Sequence, residues 1–103
     1  MPVALIVRGI VEHGRLGDFR QAAGEFARYR AQQGMAVPEV LYGMSGPMNS
    51  VALLLRYKTL ADYEREYAAE HSDPEYTRLA SAMPFVAGSI HYELYSAEPA
   101  APA

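Results

Sequence analysis

A chain of 103 residues, 50% hydrophobic and 20% charged, has room for one globular domain and is too rich in Val, Ile, Leu and Tyr to remain disordered. It contains no cysteine, which excludes disulfides, thiolate metal sites and cysteine nucleophiles. A formal net charge of −3 without a Lys/Arg cluster argues against a surface that neutralises a phosphate backbone, so nucleic acid is not an expected partner.

The opening MPVALIVRG has an apolar run interrupted by Arg8 and no basic segment before it. It fits neither a signal peptide nor a bilayer span, and a cytoplasmic protein without membrane contact is expected. Val3 to Val11 is rich in β-branched residues and stops at His13 and Gly14, which predicts a strand. From Leu16, the spacing of Phe19, Ala23 and Phe26 predicts an amphipathic helix to about Arg30, with Gly34 placed to end it in a left-handed cap. After Pro38, EVLYGMSG and SVALLLRY read as two strands joined across the turn-rich GPMN. A second helix begins after Thr59, a capping residue, with Leu60, Tyr63 and Tyr67 along one face. SDPEY then interrupts and restarts it, because Asp73 suits an N-cap, Pro74 the first helical position and Glu75 the positive end of the dipole. Tyr76, Leu79, Ala80 and Met83 stripe the second piece, and Pro84 stops it. VAGSIHYELYS predicts a last strand, with Val86, Ile90, Tyr92 and Leu94 on one side and Ser89, His91, Glu93 and Tyr95 on the other. The order is βαββαβ over residues 1–96, followed by a flexible tail over 97–103.

Arg8 interrupts an otherwise core-like strand. The odd positions Val3, Leu5, Val7 and Val11 are wholly apolar, and the even face still carries Ile6 and Ile10, joined in the third strand by Ala52 and Leu54. Both faces of the sheet therefore need cover, one chain has helix enough for one, and a second copy is the economical source of the other; a homodimer is expected. By parity Arg8 and Glu12 share that second face with Arg56, His91 and Glu93, either as an Arg–Glu network between subunits or as groups that fix an anion or carbonyl of a ligand.

The βαββαβ order, YGMSGPMNSVALLLRYKTLADYE and SDPEYTRLASAMPFVAGS together resemble bacterial NIPSNAP-like proteins of the dimeric α+β barrel superfamily, over Val3 to Ser96. The resemblance implies a ferredoxin-like α+β domain whose antiparallel sheet packs on that of a second subunit. It also implies kinship with antibiotic-biosynthesis monooxygenases, muconolactone isomerases and polyketide cyclases, and a ligand cleft between sheet and helices. Monooxygenase-like members show a tryptophan near the substrate; this sequence has none.

The HSD run at His71 to Asp73 reads as capping at a helix break, since three adjacent residues there do not converge as nucleophile, base and orienting acid must. His13, His71 and His91 lack the spacing of a helical zinc site, and no glycine-rich phosphate loop follows a strand, so neither metal nor other cofactor is expected. His91, its ordinary pKa lying near neutrality, or a tyrosine is the candidate for acid/base work, with Arg8 or Arg56 to stabilise a developing oxyanion or enolate. The eight tyrosines are unusual for this length. Tyr42, Tyr57, Tyr63, Tyr67 and Tyr92 are the expected lining of a cleft for a flat aromatic or polyketide-like molecule, a small-molecule ligand being the expected partner. Expected chemistry is cyclisation, isomerisation or cofactor-free oxygenation; the alternative is a non-catalytic binding dimer.

Overall fold

The computed structural model of the chain describes residues 1–101. Strands β1 (Val3–Ile10), β2 (Glu39–Tyr42), β3 (Ser50–Tyr57) and β4 (His91–Ser96) alternate with helices α1 (Leu16–Gln32), α2 (Leu60–His71) and α3 (Pro74–Ser81). The strands form one antiparallel sheet in the order β2-β3-β1-β4, the ferredoxin-like α+β arrangement expected. In β1 and β3 the register sets Leu5 against Leu55 and Val7 against Leu53, and on the other side of β1 Arg8 faces His91.

Side-chain parity decides where the core lies. Val3, Val51, Leu53, Leu55 and Tyr57 pack with Phe19, Ala23 and Phe26 of α1 and Leu79 of α3, so the odd-numbered face of β1 and β3 meets the helices. Gly9 interrupts that row because a Cβ there would stand 2.5 Å from the Phe85 ring. Phe85 in turn bridges to Val11, which continues the row beyond the end of β1.

Local chemistry sets the element ends. The Thr59 hydroxyl accepts from Asp62 N at 3.1 Å, and the Asp73 carboxylate accepts from Glu75 N at 3.0 Å, so both predicted caps form. Asp73 also takes the hydroxyl of Tyr29, which ties α1 to the start of α3 and holds the Asp73 carboxyl below the usual carboxylate range. Gly34 has φ +71°, the left-handed residue expected beyond α1.

Two boundaries differ from expectation. The last strand begins at His91 rather than Val86: Val86 N donates to Ile10 O at 2.7 Å, but Gly88 then takes φ +77° and the Ser89 hydroxyl bonds back to Val86 O at 2.7 Å, so a turn interrupts the pairing until His91. Glu12 lies beyond β1 and pairs with Arg15 at 3.5 Å instead of joining the charges on the sheet. Ala97 N donates to Pro2 O at 2.9 Å, fastening the start of the expected tail; its last two positions, 102–103, lie outside the described residues.

Among the described residues no helix covers the even-numbered face. Ile6, Ile10, Ala52 and Leu54 lie there with Leu41, which is 44% exposed, and Arg8 pairs with Glu93, whose carboxylate also accepts from Tyr95 at 2.7 Å. Among the described residues no helix is long and apolar enough to cross a membrane.

Candidate active site between the sheet and the helices

Helix α2 carries amphipathic spacing yet buries no residue completely, which leaves a cleft of about 710 Å³ between it, α3 and the helix-side face of the sheet. Leu5, Leu53 and Leu55 of the sheet and Phe85 give it apolar walls, while Tyr57, Tyr63, Tyr67 and Tyr92 line it with phenols. Tyr63 stands edge-on to Tyr57 at 5.4 Å and one turn from Tyr67 at 6.0 Å, the i, i+4 pairing expected of α2. Tyr67 and Tyr92 are 50% and 71% exposed and mark the mouth.

The inner wall is polar. Arg30, in the last turn of α1, is 1% exposed and lies among aromatic rings, 5.8 Å from that of Phe26 and 5.7 Å from that of Tyr76. Its Nη2 donates to Glu66 at 2.7 Å and to the Tyr57 hydroxyl at 3.3 Å. Its Nη1 donates to Glu70 at 2.5 Å and to the Tyr76 hydroxyl at 3.2 Å, and its Nε donates to Ala36 O. Glu66 also accepts from Ala36 N at 3.1 Å, locking the chain after α1 onto α2.

Burial by itself opposes charge on Arg30, but the hydrogen bond to Glu70 and the surrounding phenols and carboxylates outweigh it and hold the guanidinium above its ordinary pKa. Burial pushes the Tyr57 phenol up to about 12, and raises Tyr76 and Tyr63 as well. These phenols stay protonated at neutral pH, so they offer hydrogen bonds to a ligand and are unsuited to act as phenolate bases.

His71, at the end of α2, also lines the cleft. Its ring packs on Tyr67 at 4.1 Å, and its Nδ1 lies 2.8 Å from the Tyr67 carbonyl oxygen. A carbonyl only accepts, so Nδ1 carries the proton and the lone pair resides on Nε2.

The sequence-predicted residues thus divide between the two sheet faces. Tyr57, Tyr63, Tyr67 and Tyr92 come together in the cleft, and Tyr42 does not: its ring packs edge-on to Phe19 at 6.2 Å under the Arg20 guanidinium at the β2 edge. Arg8 and His91 lie on the even face, beside a second groove of about 550 Å³ with Leu41 and Ala52, and Arg56 is exposed on that same face. No residue of that trio lines the tyrosine cleft. Sequence reasoning missed Arg30 and Glu70, and read His71 as part of a helix cap. The available signal for Arg30 was its place in the Phe19, Ala23, Phe26 stripe, which it continues at the next four-residue step.

Among the described residues no three His, Asp or Glu side chains gather as a metal site. No protein-family model and no curated protein matches the sequence. Solved structures do match. A NIPSNAP-like domain protein from Burkholderia xenovorans superposes with TM-score 0.76 at 16% identity, covering 99% of this chain and 90% of that one. SnoaB, a cofactor-independent oxygenase from Streptomyces nogalater, gives 0.74 at 19% identity, covering 99% and 98%. A Caulobacter crescentus protein named as a candidate antibiotic biosynthesis monooxygenase gives 0.75 at 13%, covering 95% and 91%. At these identities the likeness carries the fold, and the chain has the ferredoxin-like α+β fold of these NIPSNAP-like and antibiotic-biosynthesis-monooxygenase-like structures.

Proposed function

We propose that the protein is a homodimeric enzyme that takes a planar aromatic or polyketide-like molecule into the cleft between sheet and helices and promotes its cyclisation, isomerisation or cofactor-free oxygenation. The observation that carries this reading is the cleft itself, of a size for a small organic molecule, with leucine walls for a flat ring system and five tyrosines around it. SnoaB, with the same fold, is a cofactor-independent oxygenase, which favours a cleft that works with its own side chains.

Within the cleft the group suited to move a proton is His71, whose Nε2 lone pair is set by the Nδ1 contact to the Tyr67 carbonyl. We assign Arg8, Arg56 and His91 to the association of two sheets, because they share the uncovered face with Ile6 and Leu54 and lie away from the cleft. A non-catalytic ligand-binding dimer is the second reading. It is favoured by one observation: the same Nδ1 contact lies four residues back along α2 and also serves as an ordinary helix-end cap.

The test is Tyr67→Phe. Tyr67 is half exposed, so loss of its hydroxyl leaves the melting temperature nearly constant, while affinity for a planar phenol falls by up to roughly tenfold. Titration of wild type and variant with a panel of aromatic compounds reads both quantities. Absence of binding by the wild type, together with a lowered melting temperature in the variant, would leave the tyrosines as core and overturn the proposal.

A further inference from the structure

The polar wall of the cleft defines what the far end of a ligand must be. An arginine has five N–H donors, and all five of Arg30 are taken: by Ala36 O, Glu66, Glu70 and the hydroxyls of Tyr57 and Tyr76. Arg30 is the one Lys or Arg among the described residues lining the cleft, so no free arginine or lysine is there to clamp an anion. Two carboxylates face that single guanidinium, and this end of the cleft carries a net negative charge.

Two groups on the wall still have capacity. Tyr57 is 6% exposed and lines the cleft; its oxygen accepts from Arg30, and among the described residues its own proton makes no hydrogen bond. Glu70, also on the cleft, gives Oε1 to Arg30 and takes the Tyr76 hydroxyl as well, and the remaining lone pairs of its carboxylate can still accept. One buried donor and one carboxylate acceptor on the same wall suit a group that both accepts and donates. An ammonium has no lone pair for Tyr57. A carboxylate has one, but would have to be buried against Glu66 and Glu70.

Resting on the cleft as the ligand site, the geometry points to a ligand whose inner end is a neutral hydroxyl of phenol type, accepting from Tyr57 and donating to Glu70, and to a site that rejects aromatic carboxylates. Three probes of one shape test it at pH 7: 2-naphthol, 2-naphthoate and naphthalene, titrated into the wild-type protein. The expected order is 2-naphthol tighter than either of the others by about tenfold or more, in keeping with hydrogen bonds to buried and charged partners. Glu70→Gln should narrow the gap between naphthol and naphthoate, and Tyr57→Phe the gap between naphthol and naphthalene. Naphthoate binding as tightly as naphthol, or naphthalene doing so, overturns the inference while the cleft stands as a ligand site. Failure of all three to bind overturns the cleft reading as well. The wild-type order decides the matter even where a variant folds poorly.

Discussion

Replacing Arg30 by Met lowers the stability of the protein by about 3–5 kcal/mol, the range for removing one partner of a buried ion pair. The guanidinium is 1% exposed and holds Glu66, Glu70, Tyr57, Tyr76 and the Ala36 carbonyl at once, whereas the two carboxylates retain only 14% and 15% of their side-chain exposure. Without Arg30 they face each other across an apolar interior, and the Ala36 carbonyl loses its donor. At about 4–8 °C per kcal/mol for a domain of this size, the melting temperature falls by more than about 12 °C at matched concentration. Adding Glu66→Gln and Glu70→Gln to the Met variant should recover part of the loss, since the cost lies in stranded charge. Urea denaturation measures both. A loss below about 1 kcal/mol for Arg30→Met would show that water already reaches and solvates the carboxylates.

The second large effect concerns assembly. Leu54 lies on the face of the sheet that no helix covers, paired with Ile6 of β1 and Glu39 of β2. Leu54→Glu sets a second carboxylate opposite Glu39 and, in a symmetric pair of sheets, buries the new charge twice. Several kcal/mol of desolvation should weaken the dimer at least about a hundredfold. The core lies on the odd-numbered face, so the variant should keep its far-ultraviolet circular dichroism. Light scattering at micromolar concentration should show a dimer for wild type and a monomer for the variant. A monomeric wild type would remove the reason for Ile6, Ala52 and Leu54 to share a face, and a variant that stays dimeric would place the interface elsewhere.

What the sequence made legible was mostly what alternation and capping encode. The period of two in β1 and β3 assigned Val3, Leu5 and Val7 to one face and Arg8, Arg56 and Leu54 to the other, and Thr59 and Asp73 announced their helix starts. The last strand was overextended because VAGSI alternates in composition, while Gly88 and Ser89 bend the backbone. The candidate site was half visible. Tyr63 and Tyr67 share one helix face and could be placed together, but Arg30, Glu66 and Glu70 meet only when α1 lies beside α2. An arginine in a core stripe reads locally as the end of that stripe; its carboxylate partners, 36 and 40 residues away, supply the reason it can be buried. Parity alone set Arg8, Arg56 and His91 on the face away from the helices, and the register places Arg8 and His91 side by side there, across the sheet from the tyrosines.

The claim on which the account turns is that the ligand site is the helix-side cleft. The direct measurement is a crystal structure of the protein with 2-naphthol bound. The ring system should lie between the Tyr63 and Tyr67 side of α2 and the Leu53 and Leu55 wall, with its hydroxyl toward Tyr57 and Glu70. Density for the ring on the opposite face of the sheet, in the groove beside Arg8 and His91, would contradict it.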